Sequence, residues 1–293
     1  MSTGRYIFSE RDVGNNYTLR TWDLARSLLM KIASPISRSF LLCLLCAGFV
    51  TSASAGGKGF VLAMGGGNGT TEIYEKWKNL GGGNKAHVVL IPTANNPGDE
   101  IAPVINGLKQ VFGVQEIAVL DTKDRSKANS DQFVAPLKQA TFVFIDGGRQ
   151  WRLADAYLDT RVQAELRNVL KRGGVIAGSS AGASILASYL VRGDPSGPEV
   201  MMAKGHERGF GLIPNTAIDQ HVSERHREHD LEQVIAADPK LVGIGIDPNT
   251  MIVVHGDQFE VIGSGKVYIT TAGHPLYSIA PRSRFDLRKR KPI

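Results

Sequence analysis

The sequence predicts an α/β fold: a mostly parallel sheet with helices on both faces and an antiparallel C-terminal extension. Three observations lead there. Short apolar runs alternate with stretches of helical period from residue 59 to residue 189. The runs stop in glycine or small polar residues, where the strands of a parallel sheet hand over to their helices. Beyond residue 250 the pattern changes to three closely spaced runs separated by tight turns.

Gly59–Met64 reads as the first strand, ended by Gly65-Gly66-Gly67-Asn68-Gly69, and Thr70–Leu80 as a helix stopped by Gly81–Gly83. His87–Pro92 is a second strand, Glu100–Phe112 a helix, and Glu116–Leu120 a third strand. Gln132–Lys138 is a short helix, and Thr141–Ile145 a buried strand stopped by Gly147-Gly148. Gln150–Leu170 has 3.6-residue periodicity throughout and reads as one helix. Gly174–Gly178 is the next strand, and Ala181–Tyr189 the helix behind it. Met251–Val254, Gln258–Ile262 and Lys266–Thr270 are the strands of the antiparallel extension. Ligands of such sheets sit at the carboxyl ends of the parallel strands. Gly65–Thr70, Thr93–Asn96, Gly147–Gln150 and Ser179–Ala183 are therefore expected at one edge.

The N-terminal segment 1–55 reads as a leader. Lys31 and Arg38 precede the apolar run Phe40–Val50, and Ala53-Ser54-Ala55 follows as a cleavage site, the three regions of a secretory signal peptide. Met30 would begin a signal of ordinary length, with Gly56 the mature N-terminus. The expected location is periplasmic or secreted, with no membrane association after signal removal. Cys43 and Cys46, the two cysteines of the chain, both lie in the apolar run. A mature chain from Gly56 then has no disulfide, thiolate metal site or cysteine nucleophile.

The formal charge is +6, from 34 Lys/Arg against 28 Asp/Glu. Residues 1–55 hold six of the former and three of the latter, leaving +3 for the remainder. Arg282–Lys291 supplies more than that, so residues 56–281 are close to neutral and read as one domain, with 282–293 a solvated basic tail. No nucleic-acid partner is expected.

Gly178-Ser179-Ser180-Ala181-Gly182 matches the nucleophile-elbow pattern, with Ser180 central. The same five residues also suit a packing turn between strand and helix. A serine nucleophile needs a base and a group that orients the base. His221 follows Ser180 by 41 residues, and Asp194 and Glu199 lie between them as candidate acids. This set is much tighter than the usual α/β-hydrolase arrangement. Gly65–Thr70 lacks both the dinucleotide register and a P-loop lysine, and His226 and His229 are three apart rather than four. No metal and no cofactor are expected.

The chain resembles the cyanophycinase and dipeptidase E family of serine peptidases, which share a class I glutamine-amidotransferase-like fold. The resemblance spans about residues 59–270. It rests on Phe144–Gln150, Gly178–Ala183, Asp219–Arg225, Gly243–Asp247 and Phe259–Gly265, and is closer to the cyanophycinase branch. It implies Ser180 as nucleophile, His221 as base and Glu199 as acid, with Asp194 second. The amides of Gly148 and Ala181 would form the oxyanion hole. Gln150, Asp219, Gln220, Arg225 and Arg227 would line the substrate pocket. The implied activity is a secreted serine exopeptidase acting on cyanophycin or aspartyl peptides through an acyl-enzyme. An aspartyl dipeptidase, another amide hydrolase of the fold, or a noncatalytic binding protein are the alternatives, and a homodimer is left open. Arg149 stands where the family usually carries Asn or Asp, and Asp230 where it carries a third basic residue.

Overall fold

The computed structural model describes residues 59–293; the leader, its signal peptide and Met30 lie outside the described residues. Nine strands form the first sheet. Its parallel part comprises β1 (Phe60–Met64), β2 (Val88–Ile91), β3 (Ala118–Val119), β4 (Phe142–Ile145) and β5 (Val175–Ser179), in the order β1-β5-β4-β2-β3. The helices between them are α1 (Thr71–Gly81), α2 (Ala102–Phe112), α3 (Arg125–Ala128), α4 (Asp131–Gln139), α5 (Gln150–Tyr157) and α6 (Arg161–Lys171).

Alternation along each strand sends side chains to two separate cores. Leu62, Leu90, Phe142, Phe144 and Ala177 pack with Ile73 and Trp77 of α1 and Leu108 and Phe112 of α2. Ala63, Val89, Val143, Ile145 and Ile176 pack with α4, α5 and α6 through Leu137, Leu153, Tyr157, Val162 and Leu166. Each fully buried Leu, Ile or Phe contributes about 1.5–3 kcal/mol. The helix ends are set locally: Thr70 accepts the Ile73 N–H at 3.4 Å, and Gly82 closes α1 in the left-handed region.

The stretch Gln150–Leu170, continuous by periodicity, is two helices. The chain turns at Leu158–Thr160, with Asp159 at φ 58° and its N–H bonded to Gln163 Oε1 at 2.8 Å. The break allows α5 and α6 to bury their own faces on the sheet. Tyr157, at the end of α5, is wholly buried and its hydroxyl meets Thr93 Oγ1 at 2.7 Å.

The chain leaves β5 through a single turn, α7 (Ala181–Ser184), and enters β6 (Ala187–Tyr189). The sequence predicts a helix to Tyr189; a short run of small and apolar residues fits a buried strand as well as a buried helix, and periodicity does not separate them. β6 begins a second, five-stranded sheet with β7 (Ile213–Gln220), β8 (Val242–Ile246), β11 (Val267–Thr270) and β12 (Tyr277–Ile279), in the order β12-β11-β8-β7-β6. Two short helices, α8 (Val222–Arg225) and α9 (Glu232–Ala237), join β7 to β8. The antiparallel extension therefore divides. β9 (Thr250–His255) and β10 (Gln258–Gly263) join the first sheet beside β1, whereas β11 pairs with β8 in the second.

Residues 282–293 are not a solvated tail. β13 (Arg284–Asp286) pairs with β10, and β14 (Lys291–Pro292) with β13. Phe285 is completely buried and stacks on Phe259 at 5.2 Å between ring centroids. Leu287, part-buried, packs against the same core. The described residues belong to one compact unit. Among the described residues no helix is long and apolar enough to cross a membrane.

Candidate active site

β5 runs into α7 through Ser180, whose backbone has φ 54° and ψ −117°. A non-glycine residue held there stores about 1–3 kcal/mol of strain. The surroundings fix it: the Ser180 N–H bonds Met64 O at 3.0 Å, and the Ala183 and Ser184 N–H groups bond Ser180 O at 2.9 and 3.1 Å. The glycines of the elbow are required by close approach. A Cβ on Gly178 would lie 2.1 Å from Gly182 O, and one on Gly182 2.1 Å from Ile145 O. The turn lifts the Ser180 hydroxyl from the sheet edge.

His221 closes the end of β7 in the left-handed region, φ 55°, with its N–H bonded to Gly65 O at 2.8 Å. Its ring packs on Gly66, where a Cβ would stand 2.3 Å from Nε2. His221 Nε2 is 3.1 Å from Ser180 Oγ, and Nδ1 is 2.7 Å from Glu224 Oε2. Glu224 accepts from Nδ1–H, which leaves the Nε2 lone pair for the serine proton. Burial pushes the imidazole below its ordinary pKa; the Glu224 bond opposes this, and Arg225 and Arg227 add to it. His221 is therefore neutral near pH 7, the state a base needs. The hydrogen bond to His221 in turn holds the Glu224 carboxyl below the usual carboxylate range.

The sequence favours Glu199 as acid, with Asp194 second. The structure puts Glu224 at that place. Glu199 is exposed and forms no hydrogen bond or ion pair among the described residues. The Asp194 carboxylate accepts from Ser196 N–H and Oγ at 2.7 and 2.6 Å. Glu224 reaches the imidazole because α8 starts directly after His221 and brings its third residue back over the ring. Asp247, at the end of β8, holds α8 in place by accepting the Ser223 N–H at 2.9 Å and the Lys266 N–H at 2.9 Å. The sequence signal was present in His221-Val222-Ser223-Glu224, an i,i+3 pair.

The amides of Gly148 and Ala181 donate to no protein acceptor among the described residues. Ala181 follows the nucleophile directly. The Gly147-Gly148 loop lies against it, with a Gly147 Cβ position 3.4 Å from Ser180 Cβ. Asp146 secures this loop: Oδ1 takes the Gly147 N–H at 2.8 Å and Oδ2 the Asn95 amide at 3.2 Å. Burial raises the Asp146 carboxyl above its usual range.

The five expected pocket residues separate into two groups. Gln220 Oε1 is 3.5 Å from Ser180 Oγ, and Arg225 is exposed on α8 with no ion pair among the described residues. The other three are buried, as Gln220 is, and their side chains are taken up by protein partners. Gln150 Nε2 bonds Val191 O at 2.8 Å. Asp219, fully buried, accepts from Arg192 Nε and Nη2 at 3.0–3.1 Å. Arg227 Nη1 donates to Gln220 O at 3.3 Å and stands 3.7 Å from Asp219 Oδ1. Arg192 is a residue the sequence does not single out. It bonds Asp219, Asp230 and Pro198 O, joining three segments beneath the site. Asp230 thus has a structural partner in Arg192. No group of three or more His, Cys, Asp or Glu side chains suited to a metal ion occurs among the described residues.

The model of peptidase family S51 matches residues 61–262. The chain belongs to this family. It is 31% identical over 201 residues to a cyanophycinase of Geminocystis herdmanii, covering 68% of this chain and 74% of that one. It is 33% identical over 205 residues to a cyanophycinase of Nostoc sp., covering 68% and 67%. A crystal structure of a peptidase from an acI-B1 Actinobacterium superposes with a TM-score of 0.60 at 25% identity, over 79% of this chain and 98% of that one. The S51 member described here is a cyanophycinase-like, serine-type peptidase with the α/β architecture that the sequence predicts.

Proposed function

We propose that this S51 peptidase is an exopeptidase that hydrolyses aspartyl peptides, cyanophycin among them, through an acyl-enzyme. The observation that carries the reading is the relay Glu224–His221–Ser180, with spacings of 2.7 and 3.1 Å, beside two free amides. Ser180 Oγ attacks the carbonyl carbon while its proton passes to His221 Nε2. Glu224 steadies the imidazolium that forms. The Gly148 and Ala181 amides receive the developing oxyanion, an interaction stronger in the transition state than in the ground state. The imidazolium then protonates the leaving amine. A water molecule, deprotonated by the same nitrogen, clears the ester. The similarity to cyanophycinases supports the choice of substrate.

The test is product analysis with cyanophycin and with short aspartyl peptides, on the chain from Gly56 and its Ser180→Ala variant. Release of dipeptides, lost by a factor of about 10³ or more in the variant, is expected. Hydrolysis that survives Ser180→Ala refutes the mechanism. Export by way of the leader belongs to the same proposal, and N-terminal sequencing of the exported protein should begin at Gly56.

A further inference from the structure

The arginines around the nucleophile differ in what neutralises them. Arg192 lies against Asp219 and Asp230, and Arg227 stands beside Asp219. Arg149 has no such partner. It follows Gly148, whose amide faces the reacting carbonyl in the proposed mechanism, and it is the N-cap residue of α5. Its backbone is fixed by the bond from its N–H to Ala94 O at 2.8 Å. Its guanidinium spans to the loop after β6, where Nη2 donates to Asp194 O at 2.5 Å. Its Nε is buried and has no hydrogen-bond acceptor among the described residues. No carboxylate lies within ion-pair distance among the described residues, since the nearby Asp194 carboxylate is turned to Ser196. Arg152, one turn along α5, adds a second cation, and its Nη1 bonds only oxygens of neutral groups, on Ala94, Asn95 and Asn96.

An arginine does not discharge when it is partly desolvated, so its cost falls only when an anion arrives. A guanidinium fork matches both oxygens of a carboxylate. We propose that Arg149 is a specificity-determining residue that binds a carboxylate on a substrate residue flanking the scissile amide. The inference rests on the peptidase reading above. It moves carboxylate recognition away from Arg227, which is committed to the buried frame, and onto a side chain contiguous with the oxyanion loop. The carboxylate is either an acidic side chain or a free C-terminus, and the chemistry at Arg149 is the same.

The test uses the chain from Gly56 and a fluorophosphonate that labels Ser180, with dipeptides as protecting competitors. Three are compared: one with an aspartyl side chain and a free C-terminus, its asparaginyl counterpart, and its C-terminal amide. The native protein should be protected about tenfold or more better by the form bearing the critical carboxylate. The side-chain and C-terminal arms identify which carboxylate that is. Arg149→Gln should erase the difference while leaving both the labelling rate and protection by the weaker competitor within about twofold. Arg149→Lys should keep part of the preference, as a charge without the fork. The inference is overturned if Arg149→Gln keeps the preference, if it weakens all competitors equally, if none of them protects the native protein, or if Arg225→Gln alone removes the preference. A native Ser180 that does not label overturns the peptidase reading itself, and the two failures are thereby distinct.

Discussion

Replacing Glu224 by Gln keeps the shape of the side chain and removes its charge, and the consequences can be worked from its surroundings. Glu224 accepts from His221 Nδ1–H at 2.7 Å, and its side chain is 58% exposed. A hydrogen bond to a charged group is worth about 1.5–3 kcal/mol, and solvent screening places an exposed one at the lower end. At about 1.4 kcal/mol per tenfold in rate, Glu224→Gln should slow the acylation of Ser180 by about 10–30-fold. A fully buried triad acid in chymotrypsin-like enzymes is worth about 10⁴-fold, so the exposure of Glu224 sets the smaller figure. A second readout comes from the same bond. Glu224 draws the His221 pKa upward against burial, so its removal should move the acid limb of the rate profile to lower pH. The assay is the rate of fluorophosphonate labelling of Ser180 between pH 4 and pH 8, with Glu199→Gln in parallel. A Glu224→Gln protein that labels at the native rate, beside a Glu199→Gln protein that is slowed, would refute the assignment.

Three further outcomes are expected. In the native enzyme the labelling rate should be flat at neutral pH and fall only below the ordinary histidine value of 6.5, because burial lowers the folded-state pKa and keeps the base unprotonated to lower pH; a midpoint above 6.5 contradicts this. Gly66→Ala should reduce labelling by about 100-fold with the fold intact by circular dichroism, since its Cβ position is 2.3 Å from the imidazole and an ångström of misplacement costs that much. Arg192→Ala leaves Asp219 buried, with only Arg227 at 3.7 Å, and should lower stability in urea by about 3 kcal/mol, a cost typical of a broken buried pair.

The sequence by itself determined the parallel part of the first sheet and the elbow at Ser180, and the family resemblance singled out His221, whose Nε2 lies 3.1 Å from Ser180 Oγ. The strands and the elbow are local features: apolar runs ending in glycine mark strand ends, and an elbow with so little room at Gly178 and Gly182 is written in five consecutive residues. Tertiary structure decided the rest. The second sheet was hidden because β7 mixes polar residues into its eight positions and β8 takes one partner, β11, from beyond β9 and β10. Their apolar runs are short, and nothing local says which neighbour they pair with. Phe285 shows the opposite limit, where a basic composition suggested solvent and the segment instead buries this side chain beside Phe259. The acid was misread because a loop glutamate between serine and histidine fits the chain order of a triad. Only the left-handed turn at His221, followed at once by α8, folds Glu224 back onto Nδ1. The charges in the pocket were likewise decided in three dimensions. Asp219, Arg192 and Arg227 are buried and neutralise one another, the part-exposed Asp230 joins them through Arg192, and Arg149 keeps no carboxylate partner among the described residues.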